Sequence, residues 1–404
     1  MWAQVQKLRL AVTGVFRDYP WIGWACWIAF CLIALLRTHS RRFGSTFEIY
    51  FKAAQRLFEQ QQVYDPTNLT DFIYLPISLI ILSPFIHFDP VVGAAITLTL
   101  YAVIFTLACV VLIERLMPDG AHGLKPFMLA GILLLINIPA AWFNFKGVQS
   151  QIIMTGAMIM AAAAMMRAQW LWASFWLFVA MAFKPLAIVM VLLCGTLCMP
   201  MRLPLIVAIV ATLMLPFAFF DGSYLLTQYQ FYGLKLWAVA TAPPAEWPYQ
   251  ADITTLLRAI GIELPSLLAV SLRAVSALVT LWLAWNVKRT GDKRSFALAV
   301  LILAGCYITL FGPRNEYLSF FVLTPSLVAL AFLMLAHQET DVRAWLLIAA
   351  ALVLGYVWHL SLDVWLKPAV VLIIYLWLGF LMISPQRWYD LTEYSHVPRT
   401  VGSS

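Results

Sequence analysis

Residues 169–199 read QWLWASFWLFVAMAFKPLAIVMVLLCGTLCM, thirty-one positions with a single charge, Lys184, near the middle. A membrane helix needs roughly 20 apolar residues, with about 17 near the lower limit. The run is therefore one long helix, or two short ones that turn at Lys184-Pro185. That choice sets on which side of a membrane the neighbouring loops lie. Lipid is the expected solvent for most of the chain. Of its 404 residues, 63% are hydrophobic and 11% charged, with a mean hydropathy of +0.86. A soluble domain is about 25% charged and about 45–50% apolar, and a soluble chain of this length splits into domains with polar skins. The formal charge of +7 and pI near 9.1 then read as a topology signal rather than as affinity for nucleic acid. All six cysteines lie inside apolar runs, so neither a disulfide framework nor a metal spacing is expected. HExxH, Walker A, GxGxxG and Asp-x-Asp are all missing from the sequence, and no cofactor or metal is implied.

Working outward, further apolar runs fall at 21–36, 91–113, 126–142, 151–166, 204–220, 265–287, 296–311, 318–336, 344–360 and 368–383, with a shorter one at 74–88 broken by Pro76 and Pro84. Lys7, Arg9 and Arg17 precede the first run. That run is too long for a secretory h-region and no A-x-A site follows, so it reads as a retained anchor with its N-terminus inside. Residues 2–17 suit an interfacial helix. The segment Lys288–Arg294 is the most basic short loop, which places it in the cytoplasm and 221–264 outside. Two solutions satisfy parity. Either 74–88 crosses and 169–199 is one helix, or 74–88 lies on the outer surface and 169–199 turns at Lys184-Pro185. The second puts Arg115, Lys125, Arg167 and Arg202 inside and only Lys146 outside, and positive charge favours it. The expected fold is thus an all-α polytopic membrane protein of about twelve transmembrane helices. Residues 1–19 form a cytoplasmic N-terminus, 20–383 the membrane domain and 384–404 a cytoplasmic tail. Its outer loops are 37–90, with an amphipathic helix at 47–59 by its 3.6-residue period, and 221–264. Short outer turns occupy 143–150, 184–185 and 312–317. No internal repeat of the transporter kind is visible.

The first outer loop contains Ser45-Thr46-Phe47-Glu48-Ile49-Tyr50-Phe51-Lys52-Ala53-Ala54-Gln55-Arg56-Leu57, then Val63-Tyr64-Asp65-Pro66 and Tyr74-Leu75-Pro76. This resembles the opening of glycosyltransferase family 87 in the GT-C superfamily, whose pattern runs D-F-x-x-Y-x-x-A-A-x-x-L, P-Y-D-P, Y-x-P. Gln149-Ser150-Gln151 falls where the family has G-Q-x-N, Phe183-Lys184-Pro185 matches a K-P, and Gly312-Pro313-Arg314-Asn315-Glu316-Tyr317 resembles a P-R-x-E turn. The likeness spans 40 to about 320, in order. One departure matters, because the family's catalytic Asp falls on Thr46, which is no base near neutral pH. The resemblance implies a GT-C-like transferase in the plasma (inner) membrane, its site facing the periplasm or exterior. It would move a hexose or pentose from a polyprenyl-phosphate donor to a glycolipid or cell-envelope glycan.

Such chemistry needs a base for the acceptor hydroxyl, a cation for the phosphate and groups for the sugar. Glu48 and Asp71 are the candidate bases. A helix sets positions 46 and 48 about 200° apart, whereas an extended segment gives them one face, so Glu48 inherits the role only if the segment is extended. Asp65 before Pro66 reads chiefly as a turn, and Asp252 as an N-cap or a substrate contact. Lys184 and Arg314 are the candidate donor-phosphate ligands. The bland readings are snorkelling for Lys184 and an Arg314–Glu316 pair closing a loop. Gln149, with Asn144 and Lys146, and Glu316 are candidate substrate contacts. Trp237, Trp247, Tyr229 and Tyr232 stack on sugar or form an interfacial belt. Two other classes stay open: a flippase or transporter of lipid-linked sugar, and a non-catalytic scaffold of a polysaccharide-export complex.

Overall fold

The structure is a computed structural model that describes residues 18–40, 45–121, 123–241, 250–312, 315–338, 340–356 and 360–392. The expected interfacial segment 2–17, the tail beyond 392, Trp247 and Arg314 lie outside the described residues. The structure is 81% helical, and no strand forms among the described residues. A bilayer imposes this, because without water each backbone N–H and C=O must be satisfied within its own segment. In chain order the helices are α1 (Ile22–Ser40), α2 (Ser45–Phe58), α3 (Pro76–Leu82), α4 (Pro90–Leu116), α5 (Pro126–Lys146), α6 (Gln151–Met166), α7 (Trp170–Phe183), α8 (Ile188–Leu197), α9 (Arg202–Met214), α10 (Gly222–Thr241), α11 (Ile253–Ala259), α12 (Ser266–Lys288), α13 (Lys293–Phe311), α14 (Thr324–His337), α15 (Val342–Gly355), α16 (Leu360–Ile383) and α17 (Pro385–Thr392). Among the described residues, six helices are long and apolar enough to cross a membrane. They are α4, α5, α12, α13, the stretch Met199–Ala218 around α9, and Leu362–Ile383 in α16. Shorter apolar helices include α6, α7, α14 and α15.

Two helices form the centre. α13 buries every residue from Ser295 to Phe311 except Tyr307, and α6 buries all but Met160. α6 is rich in Ala and carries Gly156, and small residues let backbones approach closely where lipid offers no hydrophobic drive to associate. A Cβ at Gly156 would already stand 3.1 Å from the Phe105 Cα of α4. At the periphery, α9 and α12 leave Leu203, Ile206, Val210, Leu267 and Leu278 exposed, a pattern suited to a lipid solvent.

The two ends of the bundle differ. At one, Tyr50 meets Ser150, Lys184 meets Gln151, Lys235 reaches the 65–68 loop and Gln250 bridges Glu316. At the other, Lys288 Nζ donates to the Leu197 carbonyl, Trp170 lies beside 197–200, and the Trp388 indole donates to Ser295. Lys184 is at the first end while Trp170 and Leu197 share the second. The run 169–199 is therefore a hairpin that turns at Lys184-Pro185. Segment 76–87 stays at the first end as α3 and a 3-10 turn, with Phe85 and Phe47 both beside Gly93 at the start of α4.

α1 and α5 approach through paired glycines. A Cβ on Gly23 would lie 2.5 Å from the Gly131 carbonyl carbon, and one on Gly131 would lie 2.6 Å from the Trp24 ring. The Trp24 indole donates to the Phe127 carbonyl and stacks on its ring. Overpacking of this kind costs about 1–3 kcal/mol. Gly23→Ala should lower the heat resistance of the detergent-purified protein, read as monomer recovered by gel filtration after heating. Gly195→Ala, whose nearest neighbour is 3.7 Å away on the Leu205 side chain, should not; equal losses would show that close helix approach is not what Gly23 supplies.

Candidate functional site

Lys184 is placed by the break in the hairpin. Pro185 has no N–H and disfavours helical geometry in the residue before it. Lys184 is accordingly extended, at φ −148° and ψ 111°. The side chain is only 8% exposed. Its Nζ donates to Gln151 Oε1 at 2.7 Å and lies 6.0 Å from the centre of the Tyr74 ring. Gln151 opens α6 after the turn 147–150, where buried Val148 takes φ +49°. A β-branched residue is strained there, on the order of 1–3 kcal/mol. The turn also presents Ser150, whose Oγ is 2.8 Å from the Tyr50 hydroxyl. The Tyr50 and Tyr74 rings lie 5.6 Å apart. Asn144, two residues before the end of α5, donates to the carbonyls of Ala140 and Leu318.

Glu316 faces this cluster from the segment after α13. That segment is held by a strap: Ala251 N donates to the Asn315 carbonyl at 2.7 Å, and the Asn315 amide donates to the carbonyls of Ala251 and Thr309. From α16, Lys367 donates to the Tyr317 carbonyl and pairs with Asp363 at 3.7 Å, both wholly buried. The Glu316 charge is felt by Tyr50, Tyr74 and Lys184. Burial pushes Tyr50 up to about 12, and Glu316 adds to the shift. Burial lowers Lys184 from its ordinary value while Glu316 opposes the shift. Lys184 and Glu316 do not close to ion-pair distance.

The residues expected from the sequence divide sharply. Lys184 and Glu316 belong to the cluster. Gln149 is on the turn beside Gly147 and Thr46, but Gln151 is the amide that reaches Lys184. The segment around Thr46 is helical, so the condition for Glu48 to inherit the base role is not met. Glu48 pairs instead with Lys52 at 2.6 Å, about half exposed. Asp71 is held by Arg56 Nη1 at 3.2 Å. Asp252 is a buried N-cap with a full capping box on Thr254 and Thr255, and Arg273 approaches it at 3.5 Å. Asp65 folds onto Thr67 in a turn. Tyr229 donates to the Leu213 carbonyl, and Tyr232 packs on Tyr64. Tyr50, Tyr74 and Gln151 stand in the quoted sequence motifs yet are not among the expected site residues; only Gln151, an amide opening an otherwise apolar helix, carried a signal of its own. Comparison with family models, with curated proteins and with solved structures finds no match to this chain.

A hydrogen bond to a charged group contributes about 1.5–3 kcal/mol. Gln151→Leu strips Lys184 of its acceptor and should destabilise the protein by about that much in thermal unfolding. Gln151→Leu combined with Lys184→Met should recover part of the loss, because contacting sites are not additive. Additive losses would show that the two side chains do not depend on each other.

Proposed function

We propose that this chain is a GT-C-like membrane glycosyltransferase of twelve crossing helices, α1, α4–α9 and α12–α16. The polar end would face the exterior, and a polyprenyl-phosphate sugar would be the donor. One observation carries the reading. The motif pieces at 46–57, 63–76, 149–151, 183–185 and 315–317, spread over most of the chain, supply the side chains that converge at one end. In this reading the acceptor hydroxyl oxygen attacks the anomeric carbon of the sugar. The bond from that carbon to the phosphate oxygen breaks, its electron pair staying on the phosphate, and the hydroxyl proton passes to a carboxylate. Lys184 holds the phosphate, which takes the place of Gln151 Oε1 as its partner. Glu316 takes the proton, being the carboxylate that the segment after α13 brings to this end, whereas Glu48 pairs with Lys52 and Asp71 is held by Arg56.

Losing one charge-assisted contact to a developing anion costs about 10²–10³ in rate. In proteoliposomes holding a polyprenyl-phosphate hexose and a glycolipid acceptor, Lys184→Ala and Glu316→Gln should lower transfer by that factor while purifying normally. Glu48→Gln should stay active. Loss in Asp71→Asn instead would move the base to the first loop, and normal transfer by every variant would sink the site. The buried Asp363–Lys367 pair favours a second reading, since ionisable pairs inside a bundle mark transport paths. A flippase would move intact donor between leaflets and release no polyprenyl phosphate.

The topology has its own check. On a Cys-free background, an impermeant thiol reagent added outside should label Cys introduced at Leu186 and Ser223, but Cys at Gly291 only after permeabilisation. Leu186 behaving like Gly291 would reject the hairpin orientation.

A further inference from the structure

The end of the bundle opposite the polar cluster carries a groove with a charged mouth. A cleft of about 330 Å³ opens between Trp170, Leu197, Met199, Phe296, Lys288 and Lys293. A second, of about 390 Å³, adjoins it at Leu197 and runs along α12 past Leu278, Leu281, Trp282 and Trp285. Its walls are mostly apolar. Lys288 and Lys293 line the first cleft, Arg289 and Arg294 adjoin them in sequence, and none of the four makes an ion pair with a described residue. Arg289 lies over the Trp285 ring instead. Asp292 also lines the first cleft; its carboxylate is turned onto the start of α13, accepting from Arg294 N and Ser295 N, and its single charge leaves the loop's four cations in excess. The helix does not benefit from Lys293 and Arg294, since cations in a first turn oppose the helix dipole. Topology asks for positive charge in this loop but not for an apolar channel leading away from it.

We propose that this groove is a binding site for one anionic phospholipid of the adjoining leaflet. Its headgroup phosphate would lie against Lys288 and Lys293, and an acyl chain would lie along Trp282 and Trp285. Shape and charge agree: a compact anion at a wet rim, continuous with a chain in an apolar slot. This site is separate from the transferase reading and survives its failure.

The test is native mass spectrometry of the delipidated full-length protein titrated with phosphatidylglycerol and with phosphatidylcholine of the same chains. Each basic residue near an anionic lipid is worth about fivefold in binding. Phosphatidylglycerol should bind several-fold tighter, and Lys293→Gln, an exposed change that spares the Lys288–Leu197 bond, should weaken it about fivefold. Lys125→Gln, at the same end outside the groove, should leave it unchanged. Phosphatidylglycerol with a photoreactive acyl chain should label residues 278–285. Equal binding of the two lipids, an equal effect of Lys125→Gln, full competition by millimolar inorganic phosphate, or labelling only elsewhere would each overturn the proposal.

Discussion

An ammonium placed at the centre of a bilayer costs on the order of 2.5–3.5 kcal/mol by insertion scales, and the geometry around Lys184 is organised by avoiding that cost. Pro185 ends α7 where the lysine falls, so the cation sits at the tip of a hairpin rather than midway along a long helix. Burial at the tip still demands an acceptor, and the start of α6 supplies it in Gln151. Presenting Gln151 in turn requires the tight 147–150 turn, in which Val148 holds an unfavourable backbone angle. Tyr74 covers the cation from the first loop, and Tyr50 and Ser150 close the layer above. One charge thus fixes the relative placement of four distant parts of the chain.

Much of the helical framework was readable from hydropathy, because lipid solvent writes helices as unbroken apolar runs. The run at 151–166 coincides with α6, and 265–287 with α12 within a residue. Ends were less legible where polar residues prolong a helix. α4 continues through Glu114 and Arg115, and α5 through Asn144 and Lys146, since intrahelical hydrogen bonding does not stop where apolarity does. The 20-residue α10 was invisible as a helix, its Tyr- and Gln-rich surface carrying no clean apolar stripe. Gln149 was expected on its outer turn as a contact for sugar hydroxyls; the amide that reaches Lys184 is Gln151, two residues on, past the reversal at Val148. The helical geometry of 45–58 decided against Glu48, a matter the sequence left conditional on local conformation.

The polar end is also clamped from behind. The 250–252 strap grips the segment carrying Glu316, and Lys367 of α16 grips the next carbonyl. Asp252, tied to its own capping box and approached by Arg273, anchors the strap rather than the chemistry. Residues that look reactive in a one-dimensional reading, such as Asp252 and Asp65, prove to be spent on backbone. Those that remain in the cluster are few and come from separate parts of the chain: α2, the first loop, the start of α6, the hairpin tip and the segment after α13.

The contacts between α10 and the first loop have a consequence for biosynthesis. Gln228 accepts from the Val63 amide and Lys235 donates to the Asp65 and Asn68 carbonyls, across separations of at least 165 residues. A chain emerging at about 5–20 residues per second leaves those backbone groups waiting roughly 10–30 s for their partners. During that interval the first loop must rely on water, on its own Asx turns at Asp65 and Asn68, or on a chaperone. The first loop is consequently completed only once α10 has emerged, and a ribosome stalled before residue 222 would release a membrane-inserted chain whose first loop still lacks its cover.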